Sequence, residues 1–190
     1  MSWSIKIVLL SILLSFSFKG NAQEYNYARL SIIYGGDIPF NFKTIDNYKN
    51  GIRIDEGTII GITLVDSNQT GADLEGFDLR FRSFNAQANI EGTNGNLPLS
   101  TIQVEANNNL GLPAPYANYT GLQSLSTSWI NLVEYTQNPV NPPDFNNLSW
   151  AIHQIKISYE CGVATSLLGA ESDYYSVEIE IELVPTGPGF

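Results

Sequence analysis

The sequence predicts an all-β protein, a single antiparallel β-sandwich of immunoglobulin-like or jelly-roll type with about eight strands, behind a cleaved signal peptide. Three observations predict it. Apolar and polar residues alternate with period two in several runs; no window of eleven or more residues carries helical periodicity; and Gly, Pro and Asn cluster between the runs. At 190 residues, 43% hydrophobic and 15% charged, with 16 Gly and 9 Pro, the chain is long enough for one self-sufficient core. The same numbers argue against coiled coil, collagen and full disorder.

Residues 1–22 read as the signal peptide. Lys6 supplies a basic start, residues 7–16 form an apolar stretch broken only by Ser11 and Ser15, and Gly20-Asn21-Ala22 offers small residues for cleavage after Ala22. The apolar stretch is well short of the ~20 residues of a bilayer-spanning helix, and no Cys stands nearby for acylation. The expected location is therefore secreted, extracellular or periplasmic, with no membrane insertion. Cleavage removes Lys6 and Lys19 and no acid, so nine basic residues become seven against nineteen acidic ones, and the net charge moves from -10 to -12. Such a surface disfavours nucleic acid and anionic membranes as partners.

The domain is expected over residues 23–184, with a loose tail at 185–190. In chain order, strands are expected at 27–34, 39–43, 58–65, 77–81, 98–105, 128–135, 151–161 and 174–184. Residues 58–65 are almost continuously apolar, which suits a central strand covered on both sides. Phe77, Leu79 and Phe81 alternate with Asp78, Arg80 and Arg82. Ala151, His153, Ile155, Ile157, Tyr159 and Cys161 share one face, opposite Gln154, Lys156, Ser158 and Glu160. In the last run Tyr175, Val177, Ile179, Ile181 and Leu183 oppose Ser176, Glu178, Glu180 and Glu182. Those acids predict cross-strand partners among Arg80, Arg82 and Lys156. Gly35-Gly36, Asn50-Gly51, Asn94-Gly95 and the Asn-Pro cluster around residues 138–143 mark the turns.

Scarcity excludes most catalytic chemistry. Cys161 and His153 are the single Cys and His, and eight residues along one strand would hold them roughly 26 Å apart, out of reach for a nucleophilic pair. His153 lies on the apolar face with no Gly-x-Ser-x-Gly elbow in the chain, so a serine triad lacks its base. Zinc needs three or four ligands, and one His plus one Cys leaves mostly carboxylates to supply them; no phosphate-cradling glycine loop is present. A lone Cys in a secreted chain is either a buried thiol or half of an intermolecular bridge, and burial is expected. A carboxylate-dependent glycan hydrolase needs only two acids and leaves no motif, so it stands as the enzyme alternative.

Two segments hold candidate sites. Asp66, Asn68 and Thr70 place oxygens at the first, third and fifth positions of a half calcium loop closed by Gly71, which Asp73 and Glu75 would complete; calcium is the one cofactor considered. Turn geometry explains the same residues without a metal, and Phe77 occupies the place of the closing acid. The segment 106–127 carries Tyr116, Asn118 and Tyr119, rings for stacking and an amide for hydroxyls, which points to sugar recognition. Trp129 and Trp150 are expected to pack in the core. An export signal followed by a small acidic sandwich resembles secreted bacterial surface proteins, pilin-like subunits and adhesion modules among them, though no motif of one family is present. The expected function is a non-enzymatic extracellular structural, adhesive or assembly module that meets protein partners or copies of itself through sheet edges. A carbohydrate-binding module is the alternative.

Overall fold

The computed structural model describes residues 26–66, 75–112, 114, 116–136 and 153–187. The fold is all-β, with three antiparallel sheets among the described residues and no closed barrel. The first sheet orders β1 (Asn26–Tyr34), β2 (Ile52–Asp66), β10 (Gln154–Cys161), β6 (Ile102–Leu110) and β8 (Gln123–Ser124). The second orders β12 (Ile179–Thr186), β3 (Gly76–Ser83), β9 (Ile130–Thr136) and β7 (Ala117–Tyr119). A small third sheet joins β11 (Tyr175–Ser176), β4 (Asn89–Gly92) and β5 (Asn96–Pro98).

Taking the long strands β1, β2, β3, β6, β9, β10 and β12 as A to G, the first two sheets read A-B-F-D and G-C-E. An immunoglobulin domain reads A-B-E-D and C-F-G. The fifth and sixth long strands have exchanged sheets, so the immunoglobulin order expected as one option is not the order observed.

Alternation decides which side chains enter the core. Ile60, Ile62 and Leu64 of β2, Ile155, Ile157 and Tyr159 of β10, and Val104 of β6 join Phe77, Leu79 and Phe81 of β3 in one buried cluster. In β9 both Leu132 and Val133 are buried, because the register against β3 slips between Leu79 and Arg80 and turns two neighbours inward. Phe77 and Tyr135 stack across that ladder at 5.2 Å. Burying an apolar side chain of this size contributes ~1.5–3 kcal/mol, so this cluster supplies the main driving force for the fold.

Several expected boundaries moved. Residues 39–43 form no strand: Phe40 and Phe42 pack on the core, but Pro39 has no N–H to give a ladder. A short helix α1 (Ile45–Asn50) follows, with Thr44 Oγ1 accepting the Asn47 N–H at 3.2 Å and Gly51 ending it at φ +75°. A Cβ at Gly51 would sit 2.4 Å from the Val163 nitrogen, so only glycine fits there. The described residues hold twelve strands rather than about eight, because β4, β5, β7, β8 and β11 are only two to four residues long. Pro185 and Thr186, expected in a loose tail, still pair with Phe77 and Gly76. Residues 1–22 and Trp150 lie outside the described residues.

Candidate functional site

Two surfaces carry features that the core does not require. The first is a flank where β1 and β12, the outer strands of their sheets, approach each other without pairing. The β12 edge is guarded. Glu180 and Glu182 are tied to Arg82 and Arg80 at 2.9 and 2.7 Å, and Pro185 removes a donor from the edge. Trp129 lies beyond them on the same face, with the guanidinium carbons of Arg80 and Arg82 4.8 and 4.3 Å from its ring centre. The acid and arginine ladder thus forms as the alternation predicts, whereas Trp129 packs on this outer face and not in the core.

The β1 edge has no such guard. Its nine residues include one charge, Arg29, and no acid or proline. Ala28, Leu30 and Ile32 pair with Leu64, Ile62 and Ile60, the buried row of β2. Ile32 is nevertheless 64% exposed, and after an irregularity in the ladder Tyr34 is 63% exposed. Apolar side chains on a core-facing row, left open at a sheet edge, are what a further strand or a second surface would cover.

The second surface is an open concavity of about 690 Å³ on the outer face of the five-stranded sheet. Its polar floor follows from alternation: Arg53 of β2, Lys156 and Ser158 of β10, and Asn107 of β6 point away from the core. An irregularity in β2 adds two acids. Ile157 faces Thr58 and Tyr159 faces Ile54, so Asp55, Glu56 and Gly57 share Ser158 as their opposite. Glu56 adopts φ +52° there and donates its N–H to Ser158 Oγ at 3.2 Å.

Arg53 is the hub. Its Nε, Nη2 and Nη1 donate to Asp55, Glu105 and Glu160 at 2.6, 2.6 and 2.7 Å, and Lys156 holds Glu56 at 2.6 Å. These carboxylates, Glu105 first, press the guanidinium further into its charged form. Glu160 is buried, with Oε1 on Arg53 and Oε2 without a partner among the described residues. Tyr119 and Ala114 form the wall. The Tyr119 hydroxyl donates to the Leu112 carbonyl at 2.9 Å, and burial raises its pKa.

The expected sugar residues do not act as one group. Tyr119 reaches the concavity, Tyr116 packs half-buried against the core, and Asn118 is exposed on the opposite side of β7, beside Glu134. Of the expected calcium ligands, Asn68, Thr70 and Asp73 lie outside the described residues. Asp66 ends β2, and Glu75 is exposed with its N–H on the Thr186 carbonyl at 2.8 Å. His153 is buried, and its carbonyl accepts the Ile62 N–H at 2.9 Å. Cys161 is a buried thiol whose pKa burial pushes up to about 11. The Arg53 hub was missed by the sequence reading, although Ile52, Arg53, Ile54 and Asp55 alternate and would have extended the expected strand.

Compared with known proteins, the chain matches no family and no curated protein.

Proposed function

We propose that the mature chain is an exported, non-enzymatic β-sandwich, its five- and four-stranded sheets stacked on one core, and that it works as an extracellular assembly module. The observation that carries this reading is the β1 edge: a nine-residue outer strand without acid or proline that leaves Ile32 and Tyr34 exposed. The occupant proposed for that edge is a second copy of the chain. Two acidic chains repel as wholes, but β1 itself bears only Arg29, so the contact is placed where the repulsion is least.

Geometry also limits the assembly. A head-to-tail fibre needs two different docking surfaces, whereas a two-fold pair uses one surface twice. Both long outer strands lie on one flank, and the opposite ends of the two sheets are the two-residue β8 and the three-residue β7. This favours a closed dimer through β1 over a pilus-like polymer. Light scattering on the mature chain is expected to give twice the chain mass. Ile32→Lys, at an exposed position, is expected to give the monomer with an unchanged circular dichroism spectrum. A wild-type monomer at every concentration tested, or a dimer indifferent to Ile32→Lys and to proline at Ser31, defeats the reading.

A further inference from the structure

We infer that the concavity above β2, β10 and β6 is a binding site for a neutral saccharide. This inference does not depend on the β1 edge. The cavity volume, about 690 Å³, falls within the ~300–1,000 Å³ range of small-molecule sites, and it is open enough to admit part of a longer chain.

Charge narrows the ligand class. Around the floor stand two cations, Arg53 and Lys156, and four carboxylates, Asp55, Glu56, Glu105 and Glu160. The excess of negative charge disfavours phosphate, sulfate and carboxylate ligands. A bare metal cation would have to displace Arg53 and Lys156, which already hold those four carboxylates at 2.6–2.7 Å. The charges are therefore spent on one another. What they leave is a rigid field of neutral donors and acceptors.

That field suits hydroxyl groups. The Asn107 side chain makes no hydrogen bond to the described residues and lines the cavity with both donor and acceptor to offer. Asn108 uses its Oδ1 on the Leu112 N–H at 3.2 Å, which fixes the side chain and leaves its amide N–H groups free to donate. Ser158 is buried beneath the floor, where its Oγ accepts the Glu56 N–H at 3.2 Å and holds the irregularity of β2 in place. The ion-paired carboxylates keep further lone pairs for sugar hydroxyls, and the half-buried Tyr119 ring, held by its hydroxyl on Leu112, offers an apolar wall for a pyranose C–H face. Alternating fixed donors and acceptors beside one aromatic ring is the chemistry of sugar recognition, and each well-made contact contributes about tenfold in affinity.

The test is a glycan array carrying neutral hexose and pentose oligomers, with sulfated and sialylated glycans as the anionic comparison, probed with the mature chain. Binding to one or more neutral oligomers is expected. Affinity should fall about tenfold in Asn107→Ala and be lost in Asn107→Trp, which fills the cavity, with the melting temperature of both variants unchanged. Ile32→Lys should bind as the wild type does, which separates this site from the proposed dimer contact. No neutral glycan bound, binding confined to anionic glycans, or binding that survives Asn107→Trp would overturn the inference.

Discussion

Arg53 shows how one side chain organises a surface. Three carboxylates from three strands converge on it at 2.6–2.7 Å, and one of them, Glu160, is 7% exposed. Removing the guanidinium leaves that carboxylate desolvated and without its counter-charge, and a broken, largely buried pair is costly. Arg53→Ala is expected to lower stability by about 2 kcal/mol, read as a shift in the urea midpoint with the slope unchanged. Arg53→Lys should recover only part of the loss, because one ammonium cannot span three acids set around a planar fork. A loss in the Ala variant no larger than that of an ordinary surface change would mean that the hub is merely a solvated ion cluster. The hub was not legible in the sequence because Glu105 and Glu160 lie 52 and 107 residues from Arg53, and only the strand order brings them together. The opposite case is Asp78, placed across from Glu134 by the β3 and β9 register; burial first, and then that like charge, raises its pKa.

At the scale of elements, β3 and β12 were legible because alternation alone fixes their outer face. Glu180 and Glu182 had to meet a basic strand, and Arg80 and Arg82 supply it. Trp129 was misplaced by the rule that tryptophan goes inside: it starts the β9 side of the same outer face, where two guanidiniums stack near it. Partly exposed cation–π contacts contribute ~0.5–1 kcal/mol each, so Trp129→Ala is expected to cost about 1–2 kcal/mol. The loss should shrink in an Arg80→Gln, Arg82→Gln background, since the double change removes the stacking partners. Equal losses in both backgrounds, by thermal unfolding, would assign Trp129 to simple area burial. Long strands carry enough periods to be read this way. Strands of two to four residues do not, which is why β4, β5, β7 and β8 were not expected. The run expected as one strand at 174–184 divides instead, Tyr175–Ser176 joining the small third sheet as β11 and Ile179–Thr186 the four-stranded sheet as β12, a break that continuous alternation does not reveal.

For the molecule as a whole, the sequence yielded class but not connectivity. Alternation says which face of a strand is buried, and says nothing about which sheet the strand joins, so the exchange of the fifth and sixth long strands required the structure. The shared core nevertheless has a measurable property. Tyr159 and Cys161 of β10 lie in the core and Tyr119 of β7 packs half-buried against it, and burial raises the pKa of all three; for Tyr159 a hydrogen bond with Thr58 opposes the effect. Each group holds its proton more tightly when folded than when unfolded. Their contribution to stability is therefore complete below the unfolded values, 9.0 for the thiol and 10.0 for the phenols, and is lost as pH rises through the folded ones. For Cys161 that window runs from 9.0 to about 11. The urea midpoint is expected to stay level on approach to pH 9 and to fall steadily above it, earlier than the same chain carrying Cys161→Ala. A thiol reagent should label Cys161 slowly until the fold opens, because the thiolate that reacts is suppressed by the same burial. A midpoint that stays level through pH 11, or a native thiol that reacts at the rate of the unfolded chain, would place these groups outside the core that the two sheets share.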